Sequence, residues 1–181
     1  MKLFKTLLFV AAAGCFSFLL LTCNRQKAPK TVEVPFTAEA LGEYKYVGPD
    51  TLEVPKCSDS LSAWRAVVEG TGTGTPMGSF TVHFDFCGDT VGHYGDGYAY
   101  MVAENGDTLF LDVGGQVFEG KLETHPEYVI SYWQDTFYIV GGTGKYEGAT
   151  GTVMSDDYNS SEDPYSHHHW NGTLLLVEKN K

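Results

Sequence analysis

Six histidines, several of them near acidic residues, and one glycine-rich loop carrying a lysine are the parts of this sequence that could do chemistry. The loop reads GGTGKYEGATG over residues 141–151. Gly142, Gly144 and Gly148 are spaced like a dinucleotide-binding turn, and Lys145 stands where a phosphate ligand could. Such a turn needs a strand before it, a helix after it and an acidic residue ending a second parallel strand. FYIV supplies the strand. Gly148 and Gly151 interrupt the helix, each at about 1 kcal/mol against alanine, and no second parallel strand with an acidic end follows. Tyr146 after Lys145 also excludes the phosphate-loop form, which needs Ser or Thr there. The loop therefore reads as structural. Gly141, Gly142, Gly144, Gly148 and Gly151 turn the chain and let strands approach closely, with Tyr146 as a plug for the core.

Five of the histidines fall in three settings. SHHHW holds His167, His168 and His169, and strand alternation would put His167 and His169 on one face, as two imidazoles for a metal. No third ligand is fixed, and the acidic stretch SDDYNSSEDPYS before it matches no calcium-loop spacing, so a solvated loop leading into a strand is the reading and no metal is expected. His83 and Asp85 share a strand face and could form an acid–base pair inside a barrel, but alternating polar residues ordinarily face water. Asp89, His93 and Asp96 lie in GDTVGHYGDG, which reads as a hairpin connection. The chain contains no G-x-S-x-G nucleophile elbow. No catalytic residue and no cofactor is expected from these patterns.

The elements around these residues read as strands. SFTVHFDFC alternates, with Phe80, Val82, Phe84 and Phe86 on one face. GYAYMVAENGDTLFLDVGG reads as a hairpin about Asn105-Gly106, a pair suited to a type I′ turn with φ > 0 at both positions. Runs at AWRAVVEG, QVFEGKLE, EYVISYWQ, TFYIV, ATGTVMS and HHWNGTLLLVE bring the total to about eight short strands, with no convincing long helix. That spacing predicts an antiparallel sandwich or barrel, and barrel closure would remove unpaired edges. Phe80, Phe84, Tyr98, Tyr100 and Trp133 are the residues expected to line the interior, as a packed core or as a ligand cavity.

The formal charge is −11, from 23 acidic and 12 basic residues. An acidic chain without a basic stripe excludes general nucleic-acid binding, which draws on phosphate neutralisation. Residues 1–22 read as a secretory leader, with Lys2 and Lys5 before an apolar run. The run ends at LLTC, which resembles the lipobox of bacterial lipoproteins, although Thr22 replaces the usual Gly or Ala. The resemblance implies lipidation of Cys23. Cys15 follows AAAG but would leave FSFLLLT as an apolar start, and an uncleaved membrane helix is the other alternative. NRQK after Cys23 is basic, which favours a periplasm-facing location in a bacterial envelope over the cell surface. Cys57 and Cys87 read as a disulfide in an oxidising compartment, with two buried thiols as the alternative. The domains are expected at 1–22 (leader), 23–60 (tether and extended segment) and 61–181 (barrel).

GGTGKYEGATG also resembles the Gly-Gly-Thr-Gly-x-Phe/Tyr-x-Gly-Ala-x-Gly motif of the dirigent and allene oxide cyclase-like barrels. GTGTGTPMG, ENGDTLF and WNGTLLL are similar to segments of bacterial members in the same order, and the resemblance spans roughly residues 62–178. It implies an all-β fold, an eight-stranded antiparallel barrel of calycin-like shape, and homo-oligomers as in plant relatives. Those relatives cyclise a fatty-acid epoxide or steer phenoxy-radical coupling, but none of their functional residues maps onto this chain. The expectation is a lipid-anchored, exported barrel that binds a small apolar or amphipathic ligand or serves as a non-catalytic envelope module. An isomerase or cyclase that steers a reactive apolar substrate is the alternative. A cavity of several hundred Å3 would favour a ligand or substrate, and a filled interior the envelope module.

Overall fold

The structure, a computed structural model, describes residues 29–51, 55–57 and 64–179. The leader and Cys23 lie outside the described residues.

The strands are β1 (Thr31–Pro49), β2 (Trp64–Thr75), β3 (Gly78–Gly88), β4 (His93–Ala103), β5 (Thr108–Gln116), β6 (Phe118–Glu119), β7 (Val129–Trp133), β8 (Thr136–Gly142), β9 (Thr150–Ser155), β10 (Asp157–Ser160) and β11 (Tyr165–Val177). All pairings are antiparallel, in the order β1-β2-β3-β4-β5-β8-β9-β11, and β11 pairs back onto β1. The protein is therefore an all-β, closed eight-stranded antiparallel barrel. β10, β7 and β6 extend from β11 as a small side sheet.

β1 corrects the expected domain boundary at residue 61. The stretch from Thr31 is the longest barrel strand, and it closes the barrel by pairing β11 from Thr31↔Val177 to Glu43↔Tyr165. Its inward positions are Phe36, Ala38, Ala40 and Gly42, and the last three are small residues that give a weak hydropathy signal. The type I′ turn is corrected as well. Among non-glycine residues described, only Asp96 has positive φ, so Asn105 does not take that conformation. Gly106 does (84°), and the Asn105 side chain instead accepts the backbone N–H of Asp107 at 3.1 Å.

Partners across an antiparallel pair share a face. Phe80, Val82 and Phe84 on β3 point inward opposite Ala103, Met101 and Ala99 on β4. Leu109, Leu111 and Val113 continue the core on β5. Trp170 on β11 stands at the centre, edge-on to Phe84 and to Phe137, each with centroids 5.7 Å away. One end is closed by the 3-10 turn Gly144–Tyr146, which inserts the fully buried Tyr146. Gly144 has φ 58°, and a Cβ there would meet the Asp107 carboxylate, so the turn requires glycine. Lys145 donates to the Pro76 carbonyl at 3.0 Å.

Outside the barrel, Cys57 and Cys87 form a disulfide with Cα atoms 5.5 Å apart. It fastens a short segment over β3. Arg65 donates to both oxygens of Asp85 (2.8 and 2.6 Å), and Asp50 accepts the backbone N–H groups of Lys56 and Cys57.

Candidate functional site

The end of the barrel opposite Tyr146 holds a cavity of about 40 Å3. Its apolar walls come from Val68, Phe84, Phe86, Val113 and Phe137, and Tyr44, Tyr94 and Trp133 add rings with polar tips. Asp157, Ser166 and His168 form its polar wall.

The fork of the sheet builds that wall. The C-terminal half of β11 pairs β9, and its first residues pair β10. β9 ends at Ser155 and β10 starts at Asp157, so the Asp157 side chain turns in beneath the fork and is fully buried. A buried carboxyl needs partners, and Asp157 has four. Oδ2 accepts the indole N–H of Trp133 and of Trp170, both at 3.0 Å, and lies 2.8 Å from His168 Nδ1. Oδ1 accepts the backbone N–H of His169 at 2.9 Å. His168 Nε2 lies 2.9 Å from Ser166 Oγ, and the Ser166 hydroxyl donates to the Gly42 carbonyl at 3.2 Å. The His168 ring stacks on Phe84 with centroids 4.9 Å apart. A second acid lies close by. Asp135 accepts from the Tyr94 hydroxyl at 2.9 Å. Burial raises the Asp135 carboxyl above its usual range despite the hydrogen bonds from Tyr94 and Gln116. Burial, then the charge of Asp135, raises the Tyr94 phenol, and burial also raises Tyr44.

Of the residues expected to line the interior, Phe84 and Trp133 border the cavity, and Phe80 is buried in the core outside it. Tyr98 and Tyr100 do not face inward, which corrects the expectation. Their register partners Asp85 and His83 are on the outer face, so Ala99 and Met101 take the interior. Tyr98 is 45% exposed, and His83 stacks on Tyr100 at 4.8 Å. Asp85 is outward yet buried, covered by Lys56 and Arg65. Burial pushes its carboxyl up, but Arg65 and Lys56 outweigh that and hold it below the ordinary value.

His167 and His169 share the outer face, where Tyr158 stacks on both at 4.5 and 5.7 Å. Among the described residues no group of three or more His, Cys, Asp or Glu is placed to hold a metal. His93 and Asp89 tie their own loop, 2.9 Å apart. Asp157, Ser166 and the inward His168 were not picked out from the sequence, although a signal was available. His168 has the same parity on β11 as Trp170, and a buried tryptophan carries its i−2 neighbour to the same face.

No protein-family model matches the chain, and no curated protein does. The structural neighbours are dirigent proteins. The pterocarpan synthase dirigent protein GePTS1 aligns at 11% identity and TM-score 0.44, over 96% of this chain and 100% of its own. The pterocarpan synthase dirigent protein PsPTS1 aligns at 10% identity and TM-score 0.47, over 83% and 97%. At these scores the barrel assignment rests on this chain's own strand pairing.

Proposed function

We propose that this protein is an exported bacterial lipoprotein, tethered through lipidated Cys23, that binds a small amphipathic molecule at the open end of its barrel. One observation carries the binding reading. A buried chain of polar groups, Asp157–His168–Ser166, forms one wall of an otherwise apolar cavity. Apolar residues would fill a barrel interior at lower desolvation cost than a buried acid and imidazole. A few convergent polar groups in an apolar pocket are the usual dress of a ligand site.

Size limits what enters. About 40 Å3 has room for about three waters, far below the roughly 300–1,000 Å3 of pockets for drug-sized ligands. By size alone the interior is nearly filled, as for an envelope module, and the ligand reading draws on the neighbouring space. A neighbouring space of about 170 Å3, bordered by Val47, Trp64 and His93, shares Phe86, Tyr94 and Val117 with it. Phe86 and Val117 are half-buried, and their displacement would join the two spaces. The ligand in this reading is aromatic or short-chained, with its polar end toward His168 and Ser166. Steering of a reactive apolar substrate is the second reading, and Tyr94 on the cavity wall, with Asp135 behind its hydroxyl, favours it as a further proton-carrying pair.

Native mass spectrometry of protein purified from membranes tests binding. A retained small molecule, lost on organic extraction, supports the reading, and a bare chain from every preparation contradicts it. Fractionation tests anchoring. The Cys23→Ala protein should leave the membrane fraction, and its retention there would refute the lipid anchor.

A further inference from the structure

The polar wall of the cavity has the order of a nucleophile, a base and an orienting acid. Three N–H groups that can only donate, from Trp133, Trp170 and the His169 backbone, hold the Asp157 carboxyl as an acceptor. With its Nδ1 proton given to Asp157 (2.8 Å), a neutral His168 offers the lone pair of Nε2 to Ser166 Oγ (2.9 Å), whose proton would turn to it from the Gly42 carbonyl at 3.2 Å. That is the geometry by which a serine hydroxyl is activated, and it is recognised by roles rather than by sequence position.

Local sequence fits the arrangement. Ser166 and His168, two residues apart on β11, share its inward face. Opposite them β1 presents Gly42, and a Cβ there would stand 2.6 Å from Ser166 Oγ and 3.1 Å from His168 Nε2. Its absence leaves the space the pair occupies. Tyr44, on the same cavity wall, donates its hydroxyl to Asn159 Oδ1 at 3.2 Å.

We infer that Ser166 is an acyl-accepting nucleophile toward small carboxylic esters, with His168 as general base and Asp157 as the residue that orients it. The inference rests on the reading above that a small molecule reaches this cavity. Ser166 Oγ gives its proton to His168 Nε2 and bonds to the ester carbonyl carbon. The tetrahedral adduct collapses, the carbon–alkoxide bond breaks, and the alkoxide leaves with the proton from Nε2. A water molecule then gives a proton to Nε2 and attacks the acyl-serine, which releases the carboxylic acid and restores the Ser166 hydroxyl. The cavity's size selects an acyl group of few heavy atoms, and the apolar alcohol part points toward Phe86 and Val117.

Methanesulfonyl fluoride, a small serine-directed reagent, tests this on the folded mature domain, with the modified residue mapped by peptide mass spectrometry. Wild type should be sulfonylated at Ser166, and Phe86→Ala, which widens access, should react faster. His168→Gln should react at least tenfold more slowly, and Ser166→Ala should not be labelled. No label at Ser166 in folded wild type and Phe86→Ala would overturn the inference. So would equal labelling rates in wild type and His168→Gln, or a label that persists in Ser166→Ala. A retained ligand in native mass spectra together with no label at Ser166 would leave the binding reading standing and remove this one alone.

Discussion

Replacement of Asp157 should separate two costs that differ several-fold. The carboxyl is the shared acceptor of the Trp133 and Trp170 indoles, His168 and the His169 backbone N–H. Asp157→Ala removes all four partners at once. Each buried donor left unpaired costs about 1–3 kcal/mol, so the sum is about 4–12 kcal/mol against a whole-domain stability of about 5–15 kcal/mol. Asp157→Asn keeps the shape and one oxygen. Placed at the Oδ2 position, that oxygen still meets the three side-chain donors, and the His169 N–H alone is lost, for about 1–3 kcal/mol. Urea unfolding followed by tryptophan fluorescence reads both, because Trp133 and Trp170 are buried against the site. The alanine variant should lose about 2 M or more of its midpoint, or fail to fold, and the asparagine variant about 1 M. Equal losses below about 1 kcal/mol in both variants would refute the claim that this carboxyl satisfies the fork of the sheet.

Three further outcomes follow from the same geometry. Replacing Cys57 and Cys87 with serine opens a loop of 30 residues, which should cost about 3–4 kcal/mol in thermal or urea unfolding. The Asp85 carboxyl sits below its ordinary value because Arg65 and Lys56 outweigh burial, and the Asp50 carboxyl does so through the backbone N–H groups of Cys57 and Lys56. A depressed folded-state value means stability that is present above the ordinary carboxylate value of 3.8 and lost as pH falls through the folded one. Urea midpoints should therefore drop more steeply with acid in wild type than in Arg65→Met, and parallel curves would contradict the pairing. The Tyr146 hydroxyl is buried with no hydrogen-bond partner among the described residues, so Tyr146→Phe should be neutral or stabilising by about 1 kcal/mol. A clear loss of stability there would show that the hydroxyl has a partner.

Alternation carried most of the fold. SFTVHFDFC places Phe80, Val82 and Phe84 inside, and Phe86 falls to half-burial where the register shifts between Asp85 and Cys87. β1 was legible as an extended segment but not as a barrel strand, because its inward residues shrink from Phe36 to Ala38, Ala40 and Gly42, opposite the bulk of Trp170 and His168. Tyr98 and Tyr100 misled because hydropathy favours the larger ring for the interior, and only the pairing with β3 shows that alanine and methionine hold it. The site itself was least legible. SDDYNSSEDPYSHHHW reads as a solvated acidic loop, and it is the fork between β9 and β10 that buries Asp157 within it. Nothing local in the sequence announces a fork, but the common parity of His168 and Trp170 does place the imidazole inside.

The central claim, that the open barrel end admits a small amphipathic molecule against its polar wall, is most directly tested with 4-bromophenol. Bromine quenches indole fluorescence on contact, and Trp133 lines the cavity. The measurement is a fluorescence titration of wild type and of Val113→Phe, whose added ring would fill the cavity that Val113 borders. Saturable quenching in wild type that disappears in folded Val113→Phe is the predicted result. Quenching that is linear in both proteins, or saturable and equal in both, would place the ligand elsewhere or nowhere and contradict the account.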